Sequence, residues 1–565
     1  MVRTQQLLKV ERTPARGEVY QYTAMNCIIF LNIFAAIWAL AIAGSHFPAT
    51  KGEVWPKPQH QVKTNTVLTF DHRRFQIKVV GVSCSLLSSV ASRYSHVFAR
   101  QSQLALEHYE HARSHKSGGR LAELHIDLTA PCEDYPHYGM DESYHLTIAE
   151  VSTLKSGSIW GILRGLQTVL HSFYFSDDYR RILVNATEIY DYPRYSHRGL
   201  LLDTSRHYIS LHNILLTLDA MEMNKMNVFH WHIVDDDSFP YQSKRFPELS
   251  EHGAYYPTMV YSKADIVLVL KYARERGIRV IPEFDVPGHT VSWGASHPEL
   301  VFTCPDQWYG TTTSGVLNPI LNSTYELLGD LIKEVQDLFP DKYLHVGGDE
   351  VNTKCWEKAP TIQAYLKEHN MTITELFPIF VDRLFQLLGS RSQPIVWEEV
   401  FEDVSSLPAS TPVHVWKREP IKGNERYDDH GKHTVNKVLE AGNKVILSAP
   451  WYLDYLDKTW EYYYNGTDPH AMVNDKSLAE NILGGEACLW GERVDDRNII
   501  SRAWPRASAT AEILWSSPPF DVPSEYHKSV NSNRMEEHTC RMIRHDIGAQ
   551  PPNGPGFCVV NPNHL

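Results

Sequence analysis

Eight short runs rich in β-branched and aromatic residues, separated by helical stretches and polar loops, govern what the chain can fold into from Arg198 onward. They fall at 199–202, 227–232, 279–283, 343–346, 394–397, 412–416, 444–447 and 483–489. Strands that alternate with helices build a parallel sheet with crossover connections, and eight is the number that closes a (β/α)₈ TIM barrel. Apolar periodicity places helices at 211–223, 263–276, 325–339, 375–388 and 435–441. In such a barrel the C-terminal strand ends and their loops converge on one mouth, so the side chains found there decide the chemistry.

Residues 55–192 read differently. Short apolar strands such as 146–148 accompany one amphipathic helix at 158–173, the pattern of a small α+β domain. Its acids and histidines are scattered, so its expected role is to brace the barrel domain of 193–565, which carries a C-terminal extension. Pro193, in Asp191-Tyr192-Pro193-Arg194, breaks the strand pattern and marks the boundary. At 565 residues and 43% hydrophobic content the chain exceeds what one core needs. A net charge of -13 with no basic block gives a phosphate backbone nothing to bind, which excludes nucleic acid as a partner. No Gly-rich phosphate loop is present, so no nucleotide cofactor is expected, and no cofactor of another kind.

The long apolar stretch is 27–44, with Asn32 its one strongly polar residue, at the lower length limit for a membrane span. Arg3, Lys9, Arg12 and Arg16 outweigh Glu11 and Glu18 before it. The expectation is a cytosolic tail at 1–26, a type II signal anchor at 27–44, a linker at 45–54 and a luminal body. A cleaved signal peptide is the alternative, with small residues at Ala41-Ile42-Ala43 and Met25 as a possible start. Either route leads to the secretory lumen: lysosome, Golgi or plasma membrane, or secretion. Four sequons, at Asn185, Asn322, Asn370 and Asn465, suit glycosylation there. An oxidising compartment also suits the local pairs Cys84 with Cys132, Cys304 with Cys355, and Cys540 with Cys558. Cys488, in an apolar run, is expected as a packed thiol. No CxxC pair supports a zinc knuckle, and no metal site is expected.

The strand ends carry Asp203 to Arg206, His232 with Asp235, Asp285 with His289, Asp349-Glu350, Trp397-Glu398-Glu399, Trp416, Trp451-Tyr452, and Trp490 with Glu492. Indole and phenol faces pack on the C–H faces of a sugar while acids and an arginine take its hydroxyls, so the inventory describes a carbohydrate pocket. Within it, His345-Val346-Gly347-Gly348-Asp349-Glu350 sets two carboxylates side by side. Adjacent acids repel unless one keeps its proton while the other stays charged, the division a general acid beside an electrostatic stabiliser needs. A plain helix-capping turn, with the two glycines supplying the bend, is the bland alternative.

These motifs together resemble glycoside hydrolase family 20, the β-N-acetylhexosaminidases of animal lysosomal and insect type. The resemblance runs from about Trp55 to Cys558 and rests on Arg198-Gly199-Leu200-Leu201-Leu202-Asp203-Thr204-Ser205-Arg206-His207, Phe229-His230-Trp231-His232, Glu283-Phe284-Asp285-Val286-Pro287-Gly288-His289, Gly347-Gly348-Asp349-Glu350-Val351 and Gly484-Gly485-Glu486-Ala487. It implies an exo-acting, retaining enzyme that removes terminal β-linked N-acetylglucosamine or N-acetylgalactosamine. The substrate's own acetamide oxygen would act as the nucleophile through an oxazolinium intermediate, an exception to the two-carboxylate scheme. On this likeness Glu350 is the general acid and later base, Asp349 holds the acetamide N–H, and Tyr452 donates to the acetamide oxygen. Trp397, Trp416 and Trp490 form the aromatic box, Arg206 and Glu492 grip ring hydroxyls, and Asp235 with His289 stand behind the acid. The three cysteine pairs match the spacing of the family's disulfides. Members are often dimers, so a homodimer is expected.

Some members carry an arginine two residues after a Trp-Tyr-Leu triplet to receive anionic substrates; here Asp454 and Tyr455 follow Leu453, which implies a preference for neutral termini. Glu398 and Glu399 have no assigned role. Two other classes remain: a metal-dependent barrel amidohydrolase, from the H-x-H spacing of His230 and His232, and a glycan-binding protein without turnover. Within the favoured class, glycoconjugate breakdown, N-glycan trimming and chitooligosaccharide degradation share one pocket.

Overall fold

Eight parallel strands close on themselves in the order expected from the sequence. The computed structural model describes residues 49–105, 119–305, 313–404, 407–418, 420–421, 424–465, 467–517 and 525–560. The barrel strands are β1 (His197–Asp203), β2 (Val228–Val234), β3 (Arg279–Phe284), β4 (Tyr343–His345), β5 (Gln393–Trp397), β6 (Pro412–Val415), β7 (Lys444–Leu447) and β8 (Ile482–Leu489). Each pairs with the next in parallel, and β8 pairs with β1 to complete the ring. Two antiparallel hairpins add to the pattern expected from the sequence: Val301–Pro305 with Thr313–Leu317, and Pro420–Ile421 with Asn424–Asp428.

Helices sit where periodicity puts them, with ends set by capping. Leu211–Met223 starts where the Ser210 side chain accepts from the Asn213 N–H. Lys263–Arg274 starts in a reciprocal capping box between Ser262 and Asp265.

The barrel interior is layered. Val228, Ile281, Tyr343, Ile395, Ile446 and Leu483 plug the N-terminal end. Above them lies a buried polar layer of His230, Glu283, His345, His414 and Glu486. The C-terminal mouth is aromatic, with Trp397 and Tyr452 buried beside Leu201 and Cys488, and Trp416 and Trp490 packed on them. Period-two alternation along each strand sends every second side chain inward and so creates these layers.

Upstream, an eight-stranded mixed sheet runs in the order 76–79, 123–128, 151–156, 144–148, 182–191, 60–70, 120–121, with Tyr174–Phe175 added to the 182–191 strand. The helix Ile159–His171 is buried along its whole length rather than on one stripe. Its outer face, polar enough to read as amphipathic, is covered by the barrel. Arg164 donates to Glu142 at 2.8 Å and to the carbonyls of Arg276 and Gly277 at the end of a barrel helix. Arg198 of β1 reaches the same Glu142 oxygen at 2.5 Å. Nearby, Asp191 accepts from Lys225, Tyr144 and the Trp515 indole. Buried ions of this kind need their partners, since an unpaired charge here costs several kcal/mol.

The expected tail at 1–26 and the 27–44 segment lie outside the described residues, as does the first part of the 45–54 linker. From 49 on, the stretch expected as linker is packed. Thr50 and the Gly52 N–H donate to Glu537, and Arg534 donates to the Val54 carbonyl, so the terminal helix Glu525–Ile543 anchors the segment. Among the described residues no helix is long and apolar enough to cross a membrane. Cys84–Cys132, Cys304–Cys355 and Cys540–Cys558 are disulfide-bonded, the mark of an oxidising secretory or extracellular compartment, and Cys488 is a buried free thiol.

Candidate active site

The loop after β4 places Asp349 and Glu350 at the barrel mouth through three left-handed residues, Gly347 (φ 64°), Gly348 (φ 96°) and Glu350 (φ 50°). A Cβ on Gly347 would fall 1.7 Å from an Asp285 oxygen, so only glycine fits there. Asp285, after β3, accepts from the Gly348 N–H at 2.7 Å and holds the turn. Glu350 adopts its positive φ without glycine's freedom, a local cost of the kind stored at functional sites.

The two carboxylates part company electrostatically. Burial would raise the Asp349 pKa, but the nearby His289 outweighs it, and the group is held below the usual aspartate value. Glu350 is shifted upward, first by burial and then by the charge of Asp349, although its side chain is 39% exposed. Asp285 is pushed well up by its burial and by the charge of Asp349. Asp349 and Glu350 are therefore shifted in opposite directions, and because the next helix, Thr353–Lys358, begins only after Asn352, neither acid caps it as the capping-turn alternative requires.

His289 organises this group. Its Nδ1 lies 3.1 Å from Asp235, while Nε2 lies 3.6 Å from Asp349 and 3.8 Å from Glu350. Asp235 also bonds His232 Nε2 at 2.7 Å and Arg206 at 2.8 Å. His232 in turn gives Nδ1 to Glu283 at 2.6 Å. The other Glu283 oxygen accepts from the Trp397 indole at 2.8 Å, so one buried carboxylate orients both the histidine chain and a wall of the pocket. Burial opposes charge on His232, but Glu283 and Asp235 prevail and push it up to about 10.

Three indoles and a phenol line the mouth. Trp416 and Tyr452 stack at 5.9 Å, Tyr452 and Trp490 approach to 6.4 Å, and Trp397 and Trp490 to 6.1 Å. Tyr452 is pinned by a bridge to Cys488 and by the Tyr463 hydroxyl, which donates to its carbonyl. Arg206 packs its guanidinium over Trp490 at 5.0 Å and bonds Asp203. Asp203 also accepts from the Gly491 N–H, fixing the loop that carries Glu492. Glu492 is exposed, and its charge acts on Arg206.

Several expectations change. Trp451, grouped with the rim, is fully buried and donates to the Tyr463 carbonyl, so it is core. Glu398 and Glu399 acquire positions. Glu398 accepts the Lys417 and Trp416 backbone N–H groups, and Glu399 accepts the Trp416 indole N–H at 3.0 Å. Burial pushes Glu399 up to about 8. Glu283, Asp285 and Glu486 lie within the sequence motifs but gain roles only from the tertiary contacts. For Glu283 and Glu486 the signal in the sequence is an acid within an apolar strand, and for Asp285 an acid immediately after one.

Among the described residues His230 and His232 do not fall in one cluster of possible ligand atoms. His232 spans Glu283 and Asp235, and His230 lies 2.8 Å from Glu486 and 2.9 Å from Glu283. Among the described residues His230, His345 and His414 bring ring nitrogens within 4.8 Å of one another, deep in the same polar layer.

Residues 195–518 match the family described as "Glycosyl hydrolase family 20, catalytic domain", and 54–170 match "beta-acetyl hexosaminidase like". The chain belongs to glycosyl hydrolase family 20. It is 41% identical to the beta-hexosaminidase subunit beta of Felis catus, covering 92% of this chain and 96% of the relative. The Homo sapiens beta-hexosaminidase subunit beta is 40% identical, with 89% of each chain covered. Among solved structures, the family 20 chitobiase of Flavobacterium johnsoniae superposes with a TM-score of 0.74 at 29% identity, covering 88% of this chain and 73% of the other. The 54–170 segment covers the mixed-sheet domain short of its Tyr174–Phe175 and Ile182–Asp191 strands, and the 195–518 segment covers all eight barrel strands.

Proposed function

We propose that the chain is a retaining exo-β-N-acetylhexosaminidase acting by substrate assistance, with Asp349 and Glu350 as its reacting pair. The observation that carries this reading is the placement of two adjacent acids at the mouth lined by Trp397, Trp416, Trp490 and Tyr452, with His289 near both and their pKa values shifted in opposite directions. In the mechanism, the 2-acetamido group of the terminal sugar sits among Trp397, Trp416 and Trp490. Ionised Asp349 accepts its N–H and stabilises the positive charge that develops there, while Tyr452 donates to its oxygen. That oxygen attacks the anomeric carbon as the glycosidic bond breaks, and Glu350 passes its proton to the leaving oxygen. The Glu350 carboxylate then takes a proton from water, whose oxygen opens the oxazolinium ring and restores the β configuration. Arg206 and Glu492 hold ring hydroxyls, and Asp235 with His289 orient the pair from behind.

The test is chemical. An aryl N-acetylglucosaminide and N-acetylgalactosaminide are turned over, the matching glucoside is not, and a thiazoline analogue of the cyclised sugar inhibits competitively. Equal cleavage of the glucoside, or no inhibition by the thiazoline, removes the reading. A glycan-binding protein without turnover fails the first arm.

Terminal sugars are expected to be neutral. Arg418 is the cation beside Tyr455, but it donates to the Ala449 carbonyl and the Tyr462 hydroxyl, and Asp454 lies nearby. A 6-sulfated glucosaminide turned over as fast as the neutral one overturns this. The disulfides and the N-terminal apolar segment support a secretory destination, whether lysosome, Golgi or cell surface, or the exterior. Asn322, Asn370 and Asn465 are exposed sequons suited to glycans, whereas the Asn185 amide bonds Tyr174 and the Thr64 carbonyl. A homodimer fits relatives that are named subunits.

A further inference from the structure

Two barrel strands bring three side chains of metal-ligating type together beneath the aromatic mouth. Glu486 and Cys488 share one face of β8 by the two-residue period, and His414 meets them from β6. A ring nitrogen of His414, a carboxylate oxygen of Glu486 and the Cys488 sulfur lie within 4.8 Å of one another, and all three residues are buried. A tetrahedral zinc ion with bonds of about 2.0–2.3 Å sets its ligand atoms about 3.3–3.8 Å apart, so closing this triangle takes only small side-chain movements.

His414 is the member whose bonding is incomplete. Its Nδ1 lies 3.4 Å from His345 Nε2, while its Nε2 has no hydrogen-bond partner despite full burial. The neighbouring imidazoles are engaged by carboxylates: His230 lies between Glu486 and Glu283, and His345 Nδ1 lies 3.2 Å from Glu283. Burial pushes His414 well below the ordinary 6.5, toward the neutral ring that can ligate. Glu486 is oriented by His197 at 2.6 Å and His230 at 2.8 Å, and Ser448 bonds the Cys488 sulfur. Such outer contacts are what hold metal ligands in place. A buried ring nitrogen without a partner calls for an explanation, and a bound ion supplies one.

From this geometry we infer that His414, Glu486 and Cys488 form a second ligand site, for a transition-metal ion of the zinc class, and that its occupation stops turnover. One thiolate, one imidazole and one carboxylate are a donor set that suits Zn²⁺. On binding, a zinc–sulfur bond forms, the Cys488 S–H bond breaks, and its proton leaves to the buffer. Turnover is coupled to the site because Cys488 packs with Trp397 and Tyr452, and its carbonyl accepts from the Leu453 N–H at 2.8 Å. Drawing the sulfur onto an ion therefore shifts the floor of the mouth. Metal capture stands apart from the glycosidase reading, whereas the loss of turnover rests on it.

The test uses the full chain carrying Cys27→Ser, in which Cys488 is the one cysteine outside the three disulfides. It is stripped with a chelator and loaded with an equimolar amount of Zn²⁺. Zinc-edge X-ray absorption is expected to show a sulfur ligand at about 2.3 Å beside nitrogen and oxygen at about 2.0–2.1 Å. A shell of nitrogen and oxygen alone, as His289 and the carboxylates of the mouth would give, overturns the site, and this arm needs no altered ligand. Turnover of an aryl N-acetylglucosaminide is then followed against free Zn²⁺. His414→Gln and Cys488→Ser each raise the half-inhibiting concentration about tenfold or more. A rise under about twofold, in variants that keep the parent's thermal midpoint, overturns the assignment of those ligands. Zinc bound through sulfur with turnover unchanged overturns the inhibitory role. Zinc-free enzyme that hydrolyses no N-acetylhexosaminide strikes instead at the glycosidase reading, and the absorption result still decides the site.

Discussion

Asp349 and Glu350 show how neighbouring identical functions acquire opposite chemistry. Each is a carboxyl on one loop, yet His289 holds the pKa of the first below the usual aspartate value, while burial and then the charge of the first push the second upward. Glu350→Gln removes the proposed proton donor while leaving its neighbours in place. Its kcat/KM on an aryl N-acetylglucosaminide is expected to fall about 10²- to 10⁴-fold with an unchanged thermal midpoint. Asp349→Asn tests the coupling. The acid works protonated, and the Asp349 charge is one cause of its raised pKa, so neutralising that charge lowers the Glu350 pKa. The alkaline limb of kcat/KM then moves to lower pH in the residual activity; a limb that stays in place breaks the coupling. Both residues can be found in the sequence because the chemistry needs two acids at fixed spacing. Glu399 cannot be assigned a role there, because its partner Trp416 is seventeen positions away in the chain and becomes its neighbour only across two strands.

At the scale of elements, strands and helices are legible where one physical rule dominates. The eight barrel strands are apolar because both faces are buried, and Leu211–Met223 has a serine cap and an asparagine stop. The hairpin Val301–Pro305 with Thr313–Leu317 escapes notice because it is short and lies within a connection expected to be loop. The tightest element is the turn after β4. Gly347→Ala should cost about 1–3 kcal/mol for the left-handed backbone alone, and more because the new methyl displaces Asp285. A lowered urea midpoint together with a lowered kcat is the expected result; a variant as stable as the parent would show that the turn can shift without cost. The helix Ile159–His171 illustrates the opposite case, since its amphipathic sequence predicts a surface stripe and its outer side is buried by a second domain.

Across the whole molecule, the mixed-sheet domain is bound to the barrel by buried ions and by a cluster of histidines. His171, with neither ring nitrogen partnered, faces His538 at 5.4 Å, with Arg541, Lys225 and His545 close by. Burial, then Arg541, depresses the pKa of both His171 and His538 well below the ordinary value of 6.5. The sign comes from linkage. Above that value folded and unfolded chains both carry neutral rings, and stability is intact; as pH falls below it the unfolded chain gains protons that the fold refuses, and stability drops. Each such proton contributes a slope of about 1.4 kcal/mol per pH unit. His171→Leu should flatten the fall in thermal midpoint between pH 7 and pH 5, and an unchanged slope would clear His171 of that role. The sequence alone determined the barrel, its preceding domain and the acids, aromatics and arginine at the strand ends, because strand period and local spacing are properties of neighbouring residues. Only the tertiary structure decided the contacts of Glu283, Asp285 and Glu399 and the demotion of Trp451 to core. Each of these depends on which distant segments meet, and hydrogen bonding, desolvation and cavity shape come into being with that meeting.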